Sequence, residues 1–473
     1  MTPIRTLSIA LAAVLAGACT TLAPDYQRPA APVPAAWSGE ATPSAADAHA
    51  ANPTVLADVD WRDYFADARL RELIGIALAN NRDLRVAVLN IEQARAQYRI
   101  QRADLFPALN LNGGQNAQRL PGDLTNSGES TISRQFSATV GIAAWELDFF
   151  GRVRSLRDQA LETYLATEDA RRSVQISLVA EVSNAWLTLA ADRELRDLAR
   201  DTFEAQQKSV DLTGRALEAG AVGALDLRQA QTAMERARAD AARYSAQVAK
   251  DENALALLIG SPVPARLLPE KLVDAVSAIT DLPAGVPSEV LVRRPDVLQA
   301  ERQLRAANAS IGAARAAFFP RITLTASAGT ASSTLDGLFG AGSGTWTFVP
   351  QLVLPIFNAG ELSASLDVAM VQREINVARY EKTIQSAFRE TADALAERAT
   401  LSEQLDARRK LVEASSESYR LSDARYQNGI DSYLVLLDAQ RSRYAADQEL
   451  ISARLSEASN RVTLYKVMGG GWQ

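Results

Sequence analysis

Two stretches of the sequence, "QRADLFPALNLNG" (Gln101–Gly113) and "ARAAFFPRITLTA" (Ala314–Ala326), change character at a Phe-Pro pair. Before the pair the residues are typical of a helix. After it apolar and polar residues alternate, which predicts a β-strand. Proline cannot continue a helix, because it lacks an N–H and its ring clashes with the preceding turn. The chain therefore switches from helix to strand at Pro107 and again at Pro320.

The two stretches belong to an internal duplication. Pro320 minus Pro107 is 213, and beyond the next loop Gly429 minus Gly220 is 209. A period near 210 residues is too long for a solenoid unit, so it indicates two copies of a half-molecule.

The pattern predicts a division of the chain into five parts. We expect a signal peptide at 1–18, an extended, lipidated N-terminal segment at 19–62, repeats at 63–260 and 291–473, and an equatorial linker at 261–290. Each repeat is predicted to hold two strands and a hairpin of long helices, with the strands at about 107–118, 134–150, 320–331 and 344–357.

Composition excludes some classes of function. Among 473 residues, 50 are basic and 56 acidic, giving a net charge of -6, so nothing indicates a nucleic-acid partner. The mean hydropathy of -0.09 is not typical of a helical membrane protein. The apolar core of the signal, from Leu7 to Leu15, is far shorter than the ~20 residues that a spanning helix needs, and we find no other uninterrupted apolar run of spanning length.

Cys19 is the single cysteine, which rules out an intrachain disulfide. It follows the signal directly, and the site resembles a bacterial lipobox, with Ala16 where that pattern favours Leu. The resemblance implies a lipid on Cys19, and Thr20 after it implies sorting to the outer membrane. The alternative is an inert, buried thiol beside an ordinary cleavage site.

Long helices without proline follow the strands. About 67 residues from Val153 to Ala219 correspond to roughly 100 Å of helix at a rise of about 1.5 Å per residue. Apolar residues in both repeats have helical or heptad spacing, as in a coiled coil: Val179, Val182, Trp186 and Leu189, then Leu405, Val412, Tyr419 and Tyr426.

The strands alternate apolar with uncharged polar residues. A sheet half-buried on a soluble core gives this pattern, and so does a membrane barrel. The secretion signal, Cys19 and the lack of spanning helices favour the barrel, with Trp145, Trp346 and Phe348 as interfacial aromatics. Four strands cannot close a barrel and open edges are not viable in lipid, so several protomers must share one.

Several motifs resemble those of the TolC-like outer-membrane factors, closest to the OprM-like lipoprotein channels of tripartite drug pumps. The resemblance implies a mainly α homotrimer. Its twelve-stranded transmembrane β-barrel, four strands per protomer, would continue into a long periplasmic α-helical barrel with a mixed equatorial domain. It also implies a periplasmic adaptor and an inner-membrane transporter, often of the resistance-nodulation-division class, as partners. The motifs are "PDYQRPAAPVPAAW", "WELDFFGRVR", "LVRRPDVLQAE", "FFPRITLTASAG", "LPIFNAGEL" and "YLVLLDAQR".

Leu434 and Asp438 are candidates for a periplasmic gate. They lie at i, i+4 after the predicted periplasmic turn, so threefold symmetry makes an apolar ring and a carboxylate ring. The resemblance places the family's aperture residues here. The alternative is coiled-coil packing for Leu434 and a solvated charge for Asp438.

Four further residues near the turns are candidates for a latch that holds the gate shut. The alternative is that they are exposed helix residues that contribute little to stability. They are Arg425, Tyr426, Arg441 and Asp226.

No catalytic constellation is evident. His49 is the single histidine and is expected in a solvated linker, and no nucleotide or zinc motif occurs, so we expect neither an enzyme nor a metal site. Apart from the covalent lipid we expect no cofactor. The leading function is a passive exit duct for drugs and other small toxic compounds. The alternatives are a duct for metal efflux or type I protein secretion, and a periplasmic coiled-coil tether.

Overall fold

A computed structural model describes residues 21–34, 59–126, 128–272 and 288–470. The predicted signal peptide, Cys19 and His49 lie outside these ranges.

Long helices and one sheet dominate the described residues. In chain order the elements are α1 (Trp61–Tyr64), α2 (Ala68–Asn80), α3 (Arg82–Ala103), β1 (Leu109–Leu120), β2 (Thr131–Glu146), α4 (Arg152–Glu218), α5 (Ala224–Ile259), α6 (Pro295–Ala316), β3 (Arg321–Ser332), β4 (Gly344–Val353), α7 (Glu361–Gln427) and α8 (Tyr433–Val467).

The chain divides into two compact units, and each takes segments from both predicted repeats. The first unit contains the sheet, and the second contains the two helical hairpins. Among the described residues, the first comprises those within Met1–Ala30, Asn90–Glu168 and Gln299–Glu381, and the second those within Ala31–Leu89, Asp169–Leu298 and Lys382–Gln473.

The sheet of the first unit has the antiparallel order β1-β2-β3-β4. Its register separates apolar from polar residues in the middle of the sheet. Apolar rows cross the sheet at Leu109, Ile142, Ala326 and Phe348, and at Leu111, Val140, Ala328 and Trp346. Glycine and uncharged polar rows cross the other face at Asn110, Gly141, Ser327 and Thr347, and at Asn112, Thr139, Gly329 and Thr345.

The apolar face lacks a protein core within the described residues. Leu111 is 78% exposed and Trp346 is 76% exposed. A sheet packed on a soluble core would bury these side chains, so this alternative does not describe the structure. An apolar face of this kind suits contact with lipid.

The ends of the strands differ from the predicted ranges. β2 ends at Glu146 rather than 150, because Asp148 accepts a 2.9 Å hydrogen bond from the backbone N–H of Arg154 and so helps to start α4. β4 ends at Val353 rather than 357, before Pro355, which has no N–H for a strand ladder.

A β-bulge in β2 determines the position of Trp145. The register shifts between Ile142 and Trp145, and Ala144 has a φ of 48°. The extra residue brings Trp145 opposite Leu324, on the apolar face. Trp145 thus shares that face with Trp346 and Phe348, the other two predicted interfacial aromatics.

The second unit has a core built around α4. Trp186 is fully buried and donates a 3.0 Å hydrogen bond from Nε1 to the carbonyl of Leu267. α4 is the one helix among the described residues that is long and apolar enough to cross a membrane by length and composition. In its most apolar window 67% of the residues are buried inside the protein, as in a core helix.

Candidate functional site

Two equivalent turns close the helical hairpins of the second unit. Gly220 and Gly429 follow α4 and α7 with φ of 73° and 72°, in the left-handed region that favours glycine. The N–H of Ala221 bonds to the carbonyl of Ala216 at 2.8 Å, and the corresponding bond of the second hairpin, between Ile430 and Arg425, measures 2.9 Å. The offset of 209 residues therefore relates two turns of the same construction.

The first turns of α8 have one buried and one exposed face. Tyr433, Leu436 and Leu437 are buried, as their i, i+3, i+4 spacing predicts. Leu434 is 55% exposed, and Asp438 is exposed on the same side. The two predicted gate residues thus lie together on the exposed face of α8. Leu434 does not pack in the core of its own protomer.

Arg425 and Asp226 act within their own turns. Arg425 donates to both carboxylate oxygens of Asp431, at 2.6 and 2.8 Å, and this hydrogen bonding lowers the pKa of Asp431. Asp226 accepts a 3.1 Å hydrogen bond from the backbone N–H of Gly223 at the start of α5. Both of these predicted latch members thus make hydrogen bonds within their own turns. The charge of Asp226 also acts on Tyr426 and Tyr433 of the other hairpin.

Tyr426 lies at the contact between the hairpins. Its ring meets that of Tyr433 edge-on, with centroids 5.7 Å apart, and both pack against Ala230 and Ala233 of α5. Burial raises the pKa of Tyr426 and of Tyr433, so both hydroxyls stay protonated at neutral pH. Arg441, the fourth predicted member, is exposed on α8.

The sequence did not reveal two polar contacts between the hairpins. Nε2 of Gln206 donates a 2.9 Å hydrogen bond to Oε1 of Gln440, and the hydroxyls of Ser209 and Tyr433 are 3.5 Å apart. The buried stripe on α8 was readable from its helical spacing. The partners of these polar groups were not, because more than 200 residues separate them.

A family model described as "Outer membrane efflux protein" matches residues 73–261 and 286–470, which is most of the chain. The chain belongs to the outer membrane efflux protein family.

Individual relatives cover nearly the whole chain. Two proteins of Pseudomonas putida, the antibiotic efflux pump outer membrane protein ArpC and the toluene efflux pump outer membrane protein TtgC, are each 52% identical to it. Both matches extend over 98% of this chain and 95% of the relative. The open state of the MtrE outer membrane channel of Neisseria gonorrhoeae has a TM-score of 0.85 and 40% identity, covering 96% of this chain and 99% of that one.

These likenesses confirm four predictions. They are the family, the mainly α fold class with its trimeric membrane barrel, the location in the outer membrane with a large periplasmic part, and the function as an efflux channel. The role of the family is transport through a channel rather than catalysis.

Proposed function

We propose that the chain is the exit duct of a tripartite pump that expels antibiotics and organic solvents. The relatives ArpC and TtgC, named for antibiotic and toluene efflux, support this range of cargo. A lipid on Cys19 anchors the protomer. A periplasmic adaptor and an inner-membrane transporter of the resistance-nodulation-division class complete the pump. The duct conducts passively, and the transporter supplies the energy.

The proposal of a gate rests on the exposed face of α8 that contains Leu434 and Asp438. In a trimer with threefold symmetry each residue becomes a ring of three. An apolar ring impedes water and ions by dewetting, whereas a carboxylate ring favours cations. Since both residues begin α8 immediately after the turn, the two rings form a constriction at the periplasmic end of the hairpins.

The repeat supplies a matched control for the gate. Leu225 is the equivalent of Leu434 at an offset of 209 and is also exposed, but Gln229 stands where the second hairpin has Asp438. Only the second hairpin therefore combines the apolar and the acidic ring. The two hairpins are expected to contribute unequally to the constriction.

Single-channel recording of purified trimers in planar bilayers tests the gate. The double variant Leu434→Ala, Asp438→Asn is expected to conduct several-fold more than the parent and to lose its preference for cations, whereas Leu225→Ala should conduct like the parent. Unchanged conductance in the double variant would show that these residues do not form the constriction.

A deletion strain separates a duct from a tether. A duct predicts that deletion raises susceptibility to antibiotics and toluene, and that the parent protein restores resistance. If purified trimers gave no conductance steps at all, the tether would be the better account.

A further inference from the structure

The N-terminal segment, defined here as residues 21–30, lies along α6 in the opposite direction. Nη1 of Arg315 donates a 3.2 Å hydrogen bond to the carbonyl of Leu22, and Nδ2 of Asn308 donates one of 2.7 Å to that of Pro24. The beginning of the segment is therefore at the carboxyl end of α6, immediately before the Phe-Pro pair and β3.

One carboxylate holds the other end of the segment. Glu301 accepts hydrogen bonds from the Tyr26 hydroxyl at 3.2 Å and from Arg28 at 3.1 and 2.8 Å, and Arg305 donates to it from α6 at 2.7 Å. The side chain of Glu301 is only 4% exposed. The Arg305 guanidinium also lies 4.8 Å from the centre of the Tyr26 ring, which adds a cation–π contact.

The charge state of this cluster is fixed near neutral pH. Burial would raise the pKa of Glu301, but hydrogen bonds and charges from Arg28 and Arg305 outweigh it and hold the pKa below its ordinary value. Burial and the charge of Glu301 raise the pKa of Tyr26 to about 12, so its hydroxyl remains a donor.

A glycine lets the segment approach α6 closely. A Cβ at Gly312 would lie 2.7 Å from the backbone nitrogen of Ala23 and 2.5 Å from Oγ of Ser155. Contact with the backbone cannot be relieved by moving a flexible side chain. The contacts from Leu22 to Arg28 therefore fix the segment in a single register on α6.

We propose that Glu301 is a positioning residue for the membrane anchor: it fixes the register of the N-terminal segment so that Cys19 is delivered to the junction of α6 and β3. The inference rests on the lipid that the proposed function places on Cys19. Consecutive Cα atoms are about 3.8 Å apart, so covalent geometry keeps Cys19 within about 11 Å of Leu22. The lipid and the first residues of β3 then enter the membrane at the same depth.

Spin labelling tests this clamp, by which we mean the contacts of Glu301 with Tyr26 and Arg28. Asp25 is exposed between the two sets of contacts, so the variant Asp25→Cys carries a nitroxide that reports the mobility of the segment. In membrane-reconstituted trimers this label is expected to be immobilised. Glu301→Gln should raise the mobile fraction at least fivefold. Arg28→Gln should have a similar effect, and the double variant should add little, because both changes remove the same interaction.

Glu162→Gln is the matched control. Glu162 accepts a 3.1 Å hydrogen bond from Arg302 of α6, away from the cluster of Tyr26, Arg28 and Arg305 around Glu301. It should leave the label immobile. Heat stability of the trimer is measured alongside, because a Glu301→Gln protein that melts earlier while its label stays immobile would have lost support for the fold rather than the hold on the segment.

The lipid and the clamp can fail separately. In Cys19→Ser protein, which has no lipid, the label should still be immobile, because the clamp is made by side chains. Absence of labelled fatty acid in the parent protein would refute the anchor of the proposed function. A label that stays immobile in lipidated Glu301→Gln protein would overturn the role of Glu301.

Discussion

Gly141 lies at a close approach of β2 and β3. A Cβ at this position would be 2.3 Å from the carbonyl oxygen of Ala326 and 2.7 Å from Cα of Ser327. Gly329, on the facing strand, is equally tight, with 2.1 Å to the carbonyl oxygen of Ala138. Because neither Gly141 nor Gly329 has a side chain, the two central strands can pair at this distance.

Gly141→Ala is therefore expected to weaken the sheet. Overpacking typically costs about 1–3 kcal/mol, and here the obstacle is backbone. The measurement is the fraction of heat-resistant trimer on gels as temperature rises, and the variant should melt several degrees lower. Gly114→Ala in β1 is the control, because a Cβ there meets nothing within 4 Å in its own protomer. Equal melting of the two variants would contradict the argument.

A pair of carboxyls links α4 to α5 and makes the first hairpin sensitive to pH. Burial, hydrogen bonding and the charge of Asp251 raise the pKa of Asp192 to about 7, and Arg243 opposes the rise. Oδ1 of Asp251 accepts from Gln247 at 2.9 Å, whereas its Oδ2 is buried without a hydrogen-bond donor. A protonated Asp192 supplies the donor that this oxygen lacks.

The sign of the pH dependence follows from the raised pKa. The folded state holds the proton of Asp192 more tightly than the unfolded chain, whose aspartates have a pKa near 3.9. The stabilisation is complete below that value and is lost as pH rises through about 7. Trimer melting temperature should fall between pH 5 and pH 8, and Asp192→Asn should reduce this slope. Asp197→Asn, on the same helix but paired with Arg196, should keep the parent's slope.

The contact between the hairpins depends on Tyr433 more than on the ion pair at the turn. Tyr433 is 2% exposed and belongs to the buried cluster, whereas Arg425 is an exposed partner of Asp431. Truncating a buried aromatic side chain costs about 3–5 kcal/mol, and an exposed ion pair contributes about 0–1 kcal/mol. Tyr433→Ala should therefore open the duct.

Entry of vancomycin, a drug too large for ordinary porins, into cells measures this opening. Cells with Tyr433→Ala are expected to become several-fold more susceptible, and cells with Arg425→Ala should resemble the parent. Greater vancomycin susceptibility with Arg425→Ala than with Tyr433→Ala would show that Arg425 contributes more than Tyr433 to keeping the duct closed.

Features of the fold that arise from local interactions could be predicted from the sequence, whereas those that arise from long-range contacts could not. The helix-to-strand switch at Pro320 was predictable, because proline and the alternation after it act locally. The bulge before Trp145 was not, since Ala144 carries no glycine-like signal for its positive φ. The contact between the hairpins was only partly predictable, because Gln206 and Gln440 are brought together by tertiary packing.

For the whole molecule, the sheet leaves two strands with an open edge. The order β1-β2-β3-β4 gives β1 and β4 one neighbour each among the described residues. Lipid cannot satisfy free backbone N–H and C=O groups, so both edges must pair with other protomers. One contact, β1 of one protomer against β4 of the next, satisfies every edge when a threefold axis repeats it.

Disulfide mapping tests this closure. Leu111 lies on the apolar face of β1, and a cysteine there can reach only residues on the same face of the neighbouring β4. Combined with single cysteines along β4, Leu111→Cys should give intersubunit disulfides with Trp346→Cys, Phe348→Cys or Pro350→Cys. It should give none with Thr345→Cys or Thr347→Cys, whose side chains occupy the polar face. Oxidised trimers should then run as covalent species on denaturing gels.

Val140→Cys, on the same face of the interior strand β2, is the control for chance collisions, and it should cross-link with none of the β4 positions. Cross-links from Val140, or equal yields at odd and even positions of β4, would mean that the protomers do not join edge to edge. In a trimer joined in this way the apolar rows are continuous around the barrel, because the row that ends at Trp346 in one protomer meets β1 of the next.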